Sequence, residues 1–244
     1  MNQVLAADIG GTNLRLAIID QLGNILDESR VQAELSLYSA QSQTQAEAHI
    51  ITTLSDGIAS FLAQSSYAAN SIGMGFPGFF HGDSGLLAAS PNLPLLHNFP
   101  LADKLSKSLN MPVAVQNDAL CAAIGEHRFG AAIGQSSLLH ITLGTGVGGG
   151  LILNHKPYGG EHGMAMEFGH LCVERSIQKG HGRLCGCGNH GCLETYASAS
   201  AVVQRYTEKT GLHLNAKAIY QLACDGDAFA TSILTDAGDY LGKA

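Results

Sequence analysis

The sequence predicts an α/β protein of two similar lobes, each opening with a glycine hairpin, and three features predict it. Residues 4–9 and 14–19 are apolar runs joined by the small turn Gly10-Gly-Thr-Asn13. Residues 137–143 and 151–153 flank a second glycine-rich turn over 144–150. Between and after these hairpins lie stretches whose apolar residues recur at helical spacing. Two such lobes would bracket a cleft. The boundary is expected near residue 117, giving an N-terminal α/β lobe over 1–117 and a C-terminal α/β lobe over 118–244.

Along the chain, the first hairpin is followed by a third strand over 25–31. Ala, Ile, Leu and Phe at helical spacing predict an amphipathic helix over 44–64. Residues 71–75 read as a short strand and Phe76-Pro-Gly78 as a turn. A loop rich in Pro and Asn is expected over 90–100, a helix over 101–109, and a strand over 113–116 that runs into Asn117-Asp118. A helix over 119–129 leads to the second hairpin. A mixed loop reaches residue 183, a cysteine cluster follows, and the chain reads as mostly helical from residue 197.

Composition narrows the function classes. In 244 residues, 45% are apolar and 14% charged, which is a globular balance rather than a disordered one. The net charge is −7 with no run of Lys and Arg, so nucleic acid is not an expected partner. The N-terminus lacks a basic segment followed by an apolar stretch, and no segment approaches ~18 uninterrupted apolar residues. No signal peptide and no membrane span are expected, and a cytoplasmic setting follows.

Turns of Gly and Thr expose several backbone N–H groups at one point, a cradle for an anionic phosphate. Asp8, just before the first turn, is placed to hold a magnesium ion, usually through water. The competing reading is a pair of ordinary tight hairpins. Gly144, Gly146 and Gly149 also fit G-x-G-x-x-G, but that dinucleotide pattern requires a helix after the glycines and a strand is expected here. The Walker pattern is missing. Phosphate is therefore expected between hairpins.

Asn117-Asp118 stands where a strand ends and a helix starts. Asp118 reads either as the helix N-cap or as a general base for a sugar hydroxyl. Asn117 is suited to hydrogen-bond neighbouring hydroxyls. Further on, Cys185-Gly-Cys187-Gly-Asn-His190-Gly-Cys192 offers three thiols within eight residues, spaced by glycines that permit tight turns. Three Cys and one His are a frequent tetrahedral zinc set, and a closed set is structural. Spacing leaves His170, His181 and His190 open as the fourth ligand.

Taken in order, Asp8-Ile-Gly-Gly-Thr12, Asn117-Asp118, Leu143-Gly-Thr-Gly-Val-Gly-Gly-Gly150, Glu167-Phe-Gly-His170 and Cys185-Gly-Cys-Gly-Asn-His-Gly-Cys-Leu-Glu194 resemble the ROK family of sugar kinases and repressors. The resemblance spans nearly the whole chain. It implies a two-lobed actin-like ATPase (ribonuclease H-like) fold with the active site in the cleft, an ATP-dependent activity that uses magnesium, and a homodimer. It implies that Asp118 is the catalytic base and that Asn117, Asp118, Glu167, His170 and Glu194 bind the sugar. Asp8, Gly10, Gly11, Thr12, Gly144, Thr145 and Gly146 are then the nucleotide-binding positions. It selects His170, with Cys185, Cys187 and Cys192, as the structural zinc ligands, one ring nitrogen on the metal and the other towards the sugar. Without it, Glu167 reads as a solvated loop charge and Glu194 as a charge at a helix start.

Two departures stand out. Met166 occupies the position before Glu167 where the family has glycine. The chain ends at Ala244, ahead of the strand and glycine-rich adenosine-binding segment that the family carries, so the C-terminal lobe is expected to be incomplete. The expected activity is transfer of the ATP γ-phosphate to the 6-hydroxyl of a hexose, glucose first. Kinases for N-acetylglucosamine, N-acetylmannosamine or fructose are the nearest alternatives. A sugar-binding regulatory protein without kinase activity is the alternative of another class. A repressor's helix-turn-helix domain would precede the Asp-x-Gly-Gly motif, and Asp8 is too near the start to leave room for one.

Overall fold

A computed structural model of the chain describes residues 3–10, 13–33, 35, 42–161, 163–175 and 182–244. Gly11 and Thr12, expected at the first phosphate turn, and His181, a candidate metal ligand, lie outside the described residues.

The chain divides into two compact units, one of Met1–Leu139 with Gly150–Ala165 and the other of His140–Gly149 with Met166–Ala244. The expected boundary after Asn117 does not coincide with this division. Helix α3 (Asp118–Phe129) packs with the first unit because it lies against strands β4 (Ile72–Phe76) and β8 (Val113–Asn117). The division runs instead through the hairpin of β9 (Leu138–Leu143) and β10 (Val147–Leu153).

The first unit is built on a five-stranded sheet of order β3-β2-β1-β4-β8, with β1 (Val4–Ile9), β2 (Asn13–Ile19) and β3 (Ile25–Gln32). The β1–β2 and β2–β3 pairs are antiparallel, while β1–β4 and β4–β8 are parallel. Alternation sorts the two faces. Leu5, Ile9, Leu14, Leu16, Ile18, Ile72, Met74 and Phe76 are buried on one face. Helix α1 (Gln43–Gln64) covers that face with Ala46, Ile50, Leu54, Ile58 and Phe61, spaced three and four apart. Helix α2 (Leu101–Leu109) adds Leu101 and Leu105 to the same core. The opposite face carries Ala6, Asp8, Arg15, Ala17, Gly73, Gly75, Ala114 and Gln116. With α3 it bounds a cavity of about 1070 Å³.

Residues 79–99 hold a second sheet that the sequence reading missed. It consists of β5 (Phe79–Phe80), β6 (Leu87–Ala89) and β7 (His97–Phe99). The second hairpin also differs from expectation. Its turn is only Gly144–Gly146, closed by the Gly144 N–H donating to the Gly146 carbonyl at 3.0 Å, and the remaining glycines of the run belong to β10. Strand β11 (Lys156–Pro157) completes a sheet of order β11-β10-β9.

The second unit is mainly helical beyond residue 193, with α4 (Glu194–Ala197), α5 (Ala199–Thr210), α6 (Ala216–Cys224) and α7 (Ala228–Lys243). Ser198, Asn215 and Asp227 cap the last three, each accepting a backbone N–H three residues on. Val202, Tyr206, Ile219, Ala230, Ile233 and Ala237 form their shared core. Among the described residues no helix is long and apolar enough to cross a membrane.

Candidate active site and metal centre

In the first unit, the hairpin closes with the Gly10 N–H donating to the Asn13 carbonyl at 2.8 Å. Register sets Asp8 opposite Arg15 across the hairpin and beside Gly75 on β4. Arg15 Nη1 lies 3.7 Å from Asp8 Oδ2, both side chains being well exposed. The sequence reading overlooked this pair. Counting outward from Gly10 and Asn13 along the two strands would have found it, because directly opposed residues share a face.

Parallel pairing of β4 with β8 brings the next candidate pair, Asn117-Asp118, to the same sheet end, where Asn117 stands beside Phe76. The structure removes one reading of Asp118, that of the helix N-cap. Asn117, not Asp118, caps α3: its Oδ1 accepts the Leu120 N–H at 3.0 Å, and its amide donates to the Gly78 carbonyl at 3.2 Å. Asp118 is the first residue of the helix, and Oδ1 accepts the Ala119 N–H at 2.9 Å. Its carboxylate lines the same cavity as Asp8. Burial of the carboxyl on its protein side raises its pKa above the ordinary aspartate value, the charge of Asp8 adds to the rise, and the Ala119 N–H opposes it. Cys121, one turn into the helix, is pushed up to about 11 by burial and by the charges of Asp118 and Asp8. This favours the protonated thiol near neutral pH.

In the second unit, the turn Gly144–Gly146 is tied down at both stems. The Ala199 N–H at the start of α5 donates to the Gly144 carbonyl at 2.9 Å, and the Val147 N–H donates to Glu194 Oε2 at 3.0 Å. Glu194 does open α4, as its plain reading as a charge at a helix start has it, and its carboxylate also reaches the turn. Its carboxylate sits so close over Gly146 that a Cβ there would strike it. Thr145 lines a cavity of about 590 Å³ whose other wall is α5, with Ser200, Val203, Gln204 and Thr207.

His170, Cys185, Cys187 and Cys192 converge, with their donor atoms all within 4.8 Å of one another. His170 Nδ1 is 3.6 Å from Cys185 Sγ, and the sulfurs of Cys187 and Cys192 are 3.7 Å apart. Bond lengths of about 2.3 Å to sulfur and about 2.0–2.1 Å to nitrogen in a tetrahedron require ~3.8 Å between sulfurs and ~3.6 Å between sulfur and nitrogen. The donor set therefore fits zinc. His190 lies outside it. All described cysteines are free thiols. Burial pushes the Cys192 thiol up to about 12 and raises Cys185, whereas exposed Cys187, aided by the Asn189 N–H, is lowered. The other ring nitrogen of His170, Nε2, stands 3.7 Å from Glu167 Oε2, beyond direct hydrogen-bond length.

The ROK family profile matches residues 4–244. The chain is 36% identical to a glucokinase of Halalkalibacterium halodurans, covering 98% of this chain and 74% of that protein. It is 33% identical to an N-acetyl-D-glucosamine kinase of Shigella boydii, covering 90% and 71%. The fold superposes on the crystal structure of a ROK family glucokinase from Streptomyces griseus in complex with glucose and AMPPNP. That match has a TM-score of 0.76 and 31% identity, and it covers 99% of this chain and 77% of the other. The mixed α/β architecture is that of the actin-like ATPases. A match of this extent to the family pattern, on a fold shared with its kinases, shows that the chain belongs to the ROK family.

Proposed function

We propose that the chain is an ATP-dependent hexose kinase that phosphorylates the 6-hydroxyl of glucose. The observation that carries this reading is the division of labour at Asn117-Asp118. Asn117 takes the capping role, so the Asp118 carboxylate is left at the cavity wall with a raised pKa. A carboxylate so placed accepts the proton of the sugar hydroxyl as that oxygen attacks the γ-phosphate in line. Asn117, Glu167, His170 and Glu194 are proposed as the remaining sugar contacts.

The turns at Gly10–Asn13 and Gly144–Gly146 are proposed to hold the nucleotide phosphates through backbone N–H groups. Asp8 would hold magnesium, which screens phosphate charge when bound. The cavity beside Thr145 has the size of a nucleoside site. His170, Cys185, Cys187 and Cys192 would hold zinc, whose contribution is to fix loop geometry. Reduced thiols at that site suit a cytoplasmic setting.

The kinase of Shigella boydii motivates a second reading, N-acetylglucosamine as acceptor. A coupled ADP-release assay with glucose, N-acetylglucosamine, N-acetylmannosamine, mannose and fructose separates the two. Turnover favouring glucose is expected. Turnover favouring an N-acetylhexosamine replaces the substrate and keeps the reaction, and no sugar-dependent ADP release with any of the five overturns the kinase reading.

A further inference from the structure

The metal-ligand segments and the glycine turn are mechanically joined, and Glu194 is the joint. Cys192 is followed by Leu193, which is fully buried and whose N–H donates to the Leu171 carbonyl at 2.9 Å. The Thr195 hydroxyl donates back to the Cys192 carbonyl at 2.7 Å. Glu194 is held between these anchors, so its backbone follows Cys192. From there its carboxylate takes the Val147 N–H at 3.0 Å, the first bond beyond the turn.

The second ligand-bearing segment grips the same place from the other side. His170 ends a single 3-10 turn, Phe168–His170. Gly169 lies directly against the Val147 carbonyl, and the Phe168 ring lies over Gly149, so neither glycine has room for a Cβ. Val147 is thus hydrogen-bonded at its N–H from the Cys192 side and closely packed at its carbonyl from the His170 side. His170 and the three cysteines would hold a metal ion together, and that shared ion would link these two segments into one clamp.

We propose that Glu194 is a positioning residue for the glycine turn, and that metal occupancy sets how firmly the turn is held. This rests on the reading of Gly144–Gly146 as a nucleotide-phosphate turn only for its consequence. A turn held in one conformation binds phosphate without first being ordered, so metal loss weakens nucleotide binding without removing any nucleotide contact.

The test compares zinc-loaded protein, one ion per chain by elemental analysis, with chelator-treated protein of unchanged circular dichroism. It reads amide hydrogen exchange at Val147 and ADP affinity by calorimetry without sugar. Chelation is expected to speed exchange at Val147 by about 10–100-fold, the range for losing a hydrogen bond to a charged group. Amides of β1 and β4 should stay unchanged, and ADP should bind about tenfold more weakly. Unchanged Val147 exchange overturns the proposal. Faster Val147 exchange with ADP binding to neither form supports the clamp and overturns the nucleotide reading instead.

Should chelation unfold the protein, a pair of variants decides with the metal in place. Glu194→Ala removes the acceptor and should expose Val147 to exchange. Glu194→Gln keeps a carbonyl oxygen for the Val147 N–H and should restore protection, while still lacking the charge that a sugar contact uses. Equal protection in wild type and both variants would show that Glu194 does not position the turn.

Discussion

Replacing Gly150 by alanine adds one methyl group to β10 at the point where it meets the helix that carries Asp118. The added Cβ would overlap the Ala123 Cβ and stand 2.9 Å from the Ala119 carbonyl oxygen and 3.2 Å from the Leu120 Cα. Carbon atoms pack at about 3.5–4.0 Å, so α3 must retreat by roughly 1 Å. Two of the three neighbours are backbone atoms, which no side-chain rotation can move aside. Overpacking of this kind costs about 1–3 kcal/mol. At about 2–4 °C per kcal/mol for a chain of this size class, melting should fall by roughly 2–12 °C. A 1 Å displacement of a catalytic group costs about a hundredfold in rate, and Asp118, the proposed base, opens this helix, so kcat should fall by about that factor. Gly144→Ala is the matched control. A Cβ there meets nothing within 4 Å, and the residue is outside the left-handed region, so stability should change by less than about 0.5 kcal/mol. Thermal melting and steady-state ADP release on the two variants test the assignment. If Gly150→Ala melts within about one degree of wild type and keeps its kcat, the close packing of β10 on α3 is wrong.

Asp118→Asn should lower kcat by about 10²–10⁴-fold, the usual worth of a general base, with sugar affinity little changed. The same variant should melt above wild type near neutral pH. A folded-state pKa above the unfolded one gives stability that is complete below the unfolded value and is lost as pH rises through the folded value, so the gap should close in acid. Asn117→Ala should cost about 1 kcal/mol in chemical denaturation through loss of the α3 cap, whereas Asn117→Asp, which still accepts the Leu120 N–H, should keep most of it. Asp8→Asn should move the Asp118 carboxyl titration, followed by carbon NMR, to lower pH. The move should be partial, because burial outranks Asp8 among the causes, and an upward move would contradict the placement of the two carboxylates.

The parts of the fold that were legible are those in which one local pattern decides. Helix α1 shows its buried face as Ala46, Ile50, Leu54, Ile58 and Phe61, and strands β1 and β2 show as apolar runs on either side of a glycine turn. Strands β5 to β7 have two or three residues each, too few to show a period of two, and Pro91 and Pro94 suggested a loop. The lobe boundary expected near residue 117 has no linker signature in the sequence to mark it. Chain packing, however, follows the sheet that α3 covers rather than the position of a motif. In the site, the cysteine spacing was legible because three ligands fall within eight residues. The link between Glu194 and Val147 was not, since it spans 47 residues and uses a backbone donor, which carries no sequence signal. Asn117 as the cap was hidden for a different reason. Asn and Asp cap almost equally well, so only the register of the first helical turn separates them.

The glycine run over 144–150 shows how one composition serves two physical ends. Gly144 has open space where a side chain would stand, and Gly146 lies under the Glu194 carboxylate, so this part of the run presents bare backbone in a short turn. Gly149 and Gly150 meet the Phe168 ring and the backbone of α3, so this part lets neighbouring elements approach. A bare turn is useful for phosphate only if it keeps its shape, because N–H groups that must first be ordered lose in entropy what they gain in hydrogen bonding. Close packing immediately beside the turn supplies that rigidity. The same logic applies to the carboxylates of the first unit. Asp8 raises the Asp118 pKa while its charge faces the cavity, and a divalent cation held at Asp8 reverses the sign of that influence. Magnesium accompanying the nucleotide would then favour the ionised form of Asp118, the form that accepts a proton, at the stage when the phosphate to be transferred is in place.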